Sequence, residues 1–336
     1  MNEPAQLLQR LLDREDLGRA EVAALFGRIM DGEIAESQIA ALLVAFAMKG
    51  ETADEIAGAV EAMRVRARAV PHALADVIDT CGTGGDGRGT FNISTAAAFV
   101  AAAAGATVAK HGNRAVSSRS GSADLLVALG LPIEVAPETA GRQLAGVGIA
   151  FLFAPAHHPA TRAVVPVRRA LGVRTLFNLL GPLTNPAGAR RQLVGVYARD
   201  RVEPVARVLA ALGCEHALVV HGGDGLDEIT TTTTTHVAEV RGGEVATYEL
   251  TPEAAGVRRT APESLAGGSP EENAARLRQL LEGETGALTD IVALNAGAAL
   301  YVSGRAESIA EGVDQARLVL ASGAAHAKLL ALKSFR

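Results

Sequence analysis

Between a short β-favouring run, Val77-Ile78-Asp79-Thr80, and an alanine-rich helical stretch from about Ile93 to Ala104 lies Cys81-Gly82-Thr83-Gly84-Gly85-Asp86-Gly87. Strand, glycine-rich turn and helix in that order commit this region to an α/β layer. Further strand runs follow at Val108-Ala109-Lys110, Ile133-Glu134-Val135, Gly148 to Phe153, Leu193 to Tyr197 and His216 to His221. Helical stretches separate most of them, so the chain predicts a largely parallel central sheet flanked by helices on both faces. Val237 to Val240 and Val245 to Leu250, joined through Gly242-Gly243, read as a late hairpin. Ser269, Pro270 and Glu272 open another helix, and two or three more, starting near Asp290, finish the chain.

Upstream of Pro71 there is no strand signal. Leu7, Leu8, Leu11 and Leu12 share one helical face, and Leu25, Phe26, Ile29 and Met30 another. Ser37 to Lys49 is an apolar helix stopped by Gly50. Thr52 and Glu55 form a capping box ahead of Ile56, Val60 and Met63. Residues 1–72 therefore read as a small all-helical domain and 73–336 as a large α/β domain. The segment from about 158 to 186 breaks the strand–helix alternation and is expected to rejoin the helical domain.

Composition narrows the function. The 336 residues are 49% apolar, enough for a sizeable core, and 32 Lys+Arg against 37 Asp+Glu leave a net charge of −5. A dedicated nucleic-acid binder carries a basic excess. Aromatic residues are 3% with no Trp, which leaves few stacking platforms for single strands. Cys81 and Cys214 are too few for a disulfide framework. The longest bland run, Ala96 to Ala109, is too short for a membrane span. The N-terminus lacks the order of a secretory signal. A soluble, cytoplasmic protein is expected.

Gly82, Gly84 and Gly87 match the spacing of a dinucleotide loop, but that match is weak alone. Five residues, Arg88 to Asn92, intervene before the helix, and the second strand ends in Lys110-His111 where a ribose-gripping acid belongs. The spacing therefore argues against a nicotinamide site. Anion binding survives this rejection. Glycines let backbone N–H groups approach an anion, and Asn92, Ser94 and Thr95 add donors at a helix N-terminus. The same three residues also suit plain capping. From Lys110 to Ser122 the chain carries one lysine, two arginines, four serines and two glycines. Ligands of parallel sheets bind beyond the strand C-termini, so two adjacent strands would aim this cradle at one place. A diphosphate needs several donors and cations.

Asp227-Glu228 follows the sixth strand on a glycine turn. Oxygen ligands there suit Mg²⁺, while an isolated acidic pair is more often a solvated turn. No Cys/His spacing suits zinc, and no nucleophile elbow is present. Arg168-Arg169 offers a guanidinium for a substrate carboxylate, or an ordinary surface arginine. Cys81 lacks a catalytic partner pattern and reads as a small packing residue.

Several blocks together resemble the anthranilate phosphoribosyltransferase family. They are Asp79 to Asp86, Thr90 to Thr95, Lys110 to Arg114 with Ser117-Ser118, Phe177 to Pro186, Gly225 to Glu228, and Leu294-Asn295. The resemblance covers nearly the whole chain. It implies transfer of the phosphoribosyl group of phosphoribosyl pyrophosphate to the amine of anthranilate, in tryptophan biosynthesis. It implies that Gly82, Gly85, Asp86, Thr90, Asn92, Ile93, Ser94, Thr95, Lys110, His111, Gly112, Asn113, Arg114, Ala115, Val116, Ser117, Ser118 and Ser122 hold phosphoribosyl pyrophosphate. Gly82, Asn113 and Arg168 would bind anthranilate. Ser94, Asp227 and Glu228 would hold Mg²⁺, with two ions expected per monomer. No catalytic acid or base is assigned, because an aryl amine is already a nucleophile. The resemblance also implies a homodimer through the helical domain.

Thr230 to Thr235, six threonines in a row, depart from the glycine and proline usual there in the family. Such a run favours an extended strand and would stiffen the metal loop. A pyrimidine nucleoside phosphorylase, or a non-catalytic nucleic-acid-binding relative, is the competing expectation.

Overall fold

The structure, a computed structural model, describes residues 3–115 and 119–335. Four helices come first: α1 (Glu3–Leu12), α2 (Arg19–Met30), α3 (Glu36–Lys49) and α4 (Ala53–Val65). The capping box at α4 is present, with the Glu55 N–H donating to Thr52 Oγ1 (3.2 Å) and the Thr52 N–H to Glu55 Oε2 (2.8 Å). Glu55 is fully buried because Lys49 Nζ and the Leu17 N–H also donate to it, so a local cap doubles as a tie between helices. Leu7 and Leu11 are buried as expected, but Leu12 is 61% exposed. It lies at the last residue of α1, one step off the buried stripe.

The α/β part runs β1 (Val77–Asp79), α5 (Ile93–Ala103), β2 (Thr107–Gly112), α6 (Ser122–Ala128), α7 (Pro137–Val147) and β3 (Ile149–Phe153). Short helices α8 (Ala154–His157), α9 (Val165–Leu171) and α10 (Phe177–Leu183) follow. Then come β4 (Arg191–Gly195), α11 (Val202–Ala211), β5 (His216–Gly222) and the hairpin β6 (Thr235–Arg241) and β7 (Glu244–Leu250). Helices α12 (Pro270–Leu281), α13 (Ala287–Ser303), α14 (Ile309–Ala321) and α15 (Ala324–Ser334) close the chain. The strand order is β3-β2-β1-β4-β5-β6-β7, with β3 to β5 parallel and the hairpin antiparallel. The chain winds outward from β1 to β3 and then returns to place β4 on β1's other side. The crevice between the C-terminal ends of β1 and β4 is thus a topological switch point, where open α/β sheets take ligands.

Alternating residues of the strands feed the two faces. In β5, Ala217 and Val219 join the core under α4, α10 and α11, while Leu218 and Val220 join Leu294 and Ala298 of α13. Ile78 of β1 packs with α5 and α13. Helix α3 touches α9, and α4 touches α10. Val164, Val167, Leu176 and Phe177 share one apolar core with the N-terminal helices.

Three strand expectations are corrected. Ile133-Glu134-Val135 is not a strand; β3 closes that edge of the sheet, and Ile133 is used for packing instead. The threonine run is not extended either. Only Thr235 enters β6, and residues 230–234 fold back because their hydroxyls find local partners. The fourth sheet strand spans 191–195 rather than 193–197, ending where Gly195 O turns to accept the Thr83 N–H (2.8 Å).

Candidate active site

Every element of the site starts at the C-terminal edge of the sheet. The glycine loop leaves β1 there. Gly84 and Gly85 are consecutive residues with φ of 64° and 76°, a backbone that side chains resist, and this is why the loop needs glycine. Thr83 fastens the loop to β4: its N–H donates to Gly195 O and its Oγ1 accepts the Tyr197 N–H (3.0 Å). Further along, Gly89 O accepts the Gly267 N–H (2.9 Å) and the Phe91 N–H donates to Leu265 O (3.0 Å). Arg174 Nη2 donates to Gly85 O while its guanidinium lies 4.6 Å over the Tyr197 ring. Arg174 carries no sequence signal as a site residue and Tyr197 only a strand signal; the fold brings both to the loop.

Three distant segments converge on this loop. The Gly84 N–H donates to Asp227 Oδ2 (2.7 Å), and the Ser94 N–H to Glu228 Oε1 (3.0 Å). Lys110, buried within β2, donates from Nζ to Thr80 O (2.7 Å) and Ser94 Oγ (3.3 Å). Gly82, Ser94, Lys110, Asp227 and Glu228, spread over about 150 residues of sequence, are therefore one site. A Cβ on Gly82 would stand 2.9 Å from Asp227 Oδ2, and one on Gly195 would strike the Asp227 carbonyl.

The acidic groups are under electrostatic strain. Burial, then the negative charge of Asp86, pushes Asp227 well above the usual carboxylate range. Burial, then Asp227 itself, does the same to Glu228. Asp86 Oδ1 accepts the Arg88 N–H (3.1 Å), but its Oδ2 is buried without a partner. Three crowded carboxylates with an orphaned oxygen among them form an all-oxygen donor set that a hard divalent cation would satisfy. A softer-looking cluster, Asp79, Cys81 and His111, also has donor atoms within 4.8 Å of one another. Asp79 and Cys81 are already committed, Cys81 Sγ donating to Gly82 O (3.4 Å), and only His111 Nε2 is open. Asp79 Oδ1 accepts the His111 N–H (3.1 Å) and Oδ2 accepts Asn185 Nδ2 (2.7 Å). Burial holds the Cys81 thiol protonated, and Asp79 rises to about 6 chiefly by desolvation. This is a hydrogen-bonded clamp rather than a metal centre.

Beside the loop, His111 Nδ1 donates to Gly181 O (2.9 Å), so Nε2 carries the lone pair, buried and unpartnered. Its ring lies 5.1 Å from that of His158. Burial, and then each ring's histidine neighbour, drives their pKa values down to about 3 and about 4, so both are neutral at pH 7. Arg168 reaches over the Phe177 ring at 5.4 Å, and its side chain has no ion pair or hydrogen bond among the described residues. Burial lowers its pKa.

The remaining expected residues are placed as follows. Asn92 Nδ2 donates to Ser120 O (3.0 Å) and its Oδ1 accepts Asn273 Nδ2 (2.9 Å), so it ties loops together. Thr90 bridges Ala266. Ile93 and Thr95 are buried at the start of α5. Asn113 is exposed, its carbonyl accepting from Ser122 Oγ (3.2 Å). Gly112 lies against Ser122 and the Phe151 ring. Arg114 is turned to Asp124 (3.0 Å), which also accepts the Ala115 N–H (2.9 Å). Val116, Ser117 and Ser118 lie outside the described residues.

Residues 5–67 match the glycosyl transferase family's helical bundle domain and residues 74–326 its a/b domain. An anthranilate phosphoribosyltransferase of Azorhizobium caulinodans is 54% identical over 96% of this chain and 94% of its own. One from Rubrobacter xylanophilus is 54% identical, covering 96% and 95%. The crystal structure of the Thermus thermophilus enzyme superposes with a TM-score of 0.93 at 48% identity, covering 98% of both chains. The Saccharomyces cerevisiae enzyme in complex with PRPP and Mg gives a TM-score of 0.89 at 27% identity, covering 98% and 96%.

Proposed function

The chain belongs to the anthranilate phosphoribosyltransferase family, and from that membership we propose that it joins the amine of anthranilate to C1 of phosphoribosyl pyrophosphate, releasing pyrophosphate in tryptophan biosynthesis. The observation that carries this reading is the meeting of Gly84, Ser94, Lys110, Asp227 and Glu228 at the β1–β4 switch point.

As the C1–O bond breaks, positive charge builds on the ribose and negative charge on the diphosphate. Lys110 and the N-terminus of α5 face that negative charge, and they are held before substrate arrives, so they cost no reorganisation. Magnesium, when bound, screens the diphosphate and stabilises it as a leaving group. Ser94, Asp227 and Glu228 are the residues we assign to it, with two ions per chain. Glycine loop and α5 residues 82–95, with 110–118 and Ser122, would hold the phosphoribosyl pyrophosphate.

Arg168, with no acid paired to its planar guanidinium among the described residues, is suited to the carboxylate of anthranilate, and we assign Asn113 and Gly82 to the same substrate. His111 at a pKa of about 3 is too weak a base to keep a proton at pH 7, but its open Nε2 can accept a hydrogen bond from the amine. Positioning and electrostatics then supply the rate, and no general base is assigned.

Helices α1–α4 with residues 158–186 are taken as one helical domain and the rest of 73–336 as the α/β domain. The packing of α9 on α3 and α10 on α4 supports that division. A homodimer through the helical domain and a cytoplasmic setting complete the reading. The direct test is loss of anthranilate fluorescence with phosphoribosyl pyrophosphate and Mg²⁺, omitting each component in turn. Fluorescence that persists with all three present would refute it.

A further inference from the structure

Asp227 and Glu228 stand on a segment, 223–229, that has no helix or strand of its own. Two neighbouring carboxylates repel, so something beyond the pair must fix their spacing. Two sets of contacts do so, one on each flank.

On the far flank stands Asn295, in the middle of the apolar helix α13 and fully buried. Its Oδ1 accepts the N–H of Ile229 (3.0 Å) and its Nδ2 donates to the carbonyl of the same residue (2.9 Å). Nδ2 also reaches Ile291 O (2.9 Å). Ile229 directly follows Glu228. A carboxamide offers one donor face and one acceptor face, so it can pair with both groups of a single peptide residue as a strand would. Asparagine is a poor residue for a helix interior, and here it serves the loop.

On the near flank stands Asp224. Its Oδ2 accepts from Thr230 Oγ1 (2.6 Å) and Thr232 Oγ1 (2.5 Å), and its Oδ1 accepts the Leu226 N–H (3.2 Å). The Thr230 N–H donates in turn to Thr235 Oγ1 (3.0 Å). The threonine run thus wraps back on the acid that precedes the pair and closes 224–230 into a loop.

We propose that Asn295 and the Asp224–Thr230–Thr232 clasp are positioning residues that set where the Asp227 and Glu228 carboxylates point, and so how tightly the site takes a divalent cation. This rests on the reading of that pair as the magnesium holders. Removing a hydroxyl or reversing one face of the carboxamide leaves both ligands in place but frees their spacing.

The test is Mn²⁺ titration of the full chain followed by electron paramagnetic resonance, with phosphoribosyl pyrophosphate present and anthranilate absent. Asn295→Asp keeps the acceptor and loses the donor. Thr230→Val with Thr232→Val removes only the hydroxyls and covers the case that the Asn295 variant folds poorly. Each is expected to weaken Mn²⁺ binding about tenfold, as loss of groups that orient metal ligands does. Thr230→Ser with Thr232→Ser is expected to restore the affinity, and the KM for anthranilate to move less than the Mn²⁺ affinity. Wild-type Mn²⁺ affinity in the valine variant, or a lowered melting temperature with unchanged affinity, would overturn the proposal. Asp227→Asn with Glu228→Gln is the separate control. If that variant binds Mn²⁺ as the wild type does, the underlying metal assignment has failed instead.

Discussion

Arg168 is a guanidinium with an aromatic ring beneath it and no acid beside it among the described residues. Hydrogen bonds to charged groups contribute ~1.5–3 kcal/mol, so Arg168→Ala is expected to raise the KM for anthranilate about tenfold or more. The KM for phosphoribosyl pyrophosphate should change far less, and equal shifts in steady-state kinetics would remove the role. The histidine pair gives a second prediction. Both rings titrate near 6.5 when unfolded, but at about 3 and about 4 in the fold. Between pH 6.5 and 4 the unfolded chain therefore binds more protons, and stability present above pH 6.5 is lost as pH falls. Asp79, raised from 3.8 to about 6, acts in the opposite sense and offsets part of one histidine. Melting curves of His158→Asn should lose less between pH 7 and 5 than those of the wild type. Parallel losses would mean that the ring is not buried neutral.

At the scale of elements, the end of β4 is as important to the site as the loop after β1. Gly195 sits against the Asp227 carbonyl so closely that a Cβ has no room. Gly195→Ala is expected to push the acidic segment away from Gly84 and to cost about 1–3 kcal/mol, the range for overpacking. A denaturant titration reads the stability, and the Mg²⁺ concentration for half-maximal turnover reads the displaced ligands. An unchanged value of both would show that β4 and the acidic segment move independently. The threonine run teaches a related lesson. Its β propensity is real, but Asp224 and Thr260 offer its hydroxyls hydrogen bonds that an extended strand would forgo.

At the scale of the whole molecule, α3 packs against both α1 and α9, and each of these three helices carries an exposed apolar residue: Leu12 (61% exposed), Met48 (71%) and Val165 (43%). Exposed apolar side chains on neighbouring helices suit a partner surface. Light scattering is expected to find a dimer, and Met48→Glu to shift it toward monomer while the melting temperature holds. A wild-type monomer at micromolar concentration would exclude the arrangement. Arg68, in the linker after α4, accepts at its carbonyl from His157 Nδ1 (2.9 Å), which ties that linker to α8.

Local patterns determined much of this protein. Glycine spacing announced the loop, the Thr52–Glu55 box announced α4, and the short apolar run from His216 to His221 announced β5, because each depends only on neighbours along the chain. The same holds for the residue types of the anion cradle. Which groups meet was decided by the tertiary structure alone. Nothing near Asn295 in sequence points to Ile229 and nothing near Thr83 to Gly195, and Ser94 is joined to Glu228 only by the family resemblance, not by any local pattern. Those pairs are 66, 112 and 134 residues apart, and only the reversal of strand order at β1 brings the last two together. Side-chain polarity is written residue by residue, but proximity is a property of how the sheet is wound.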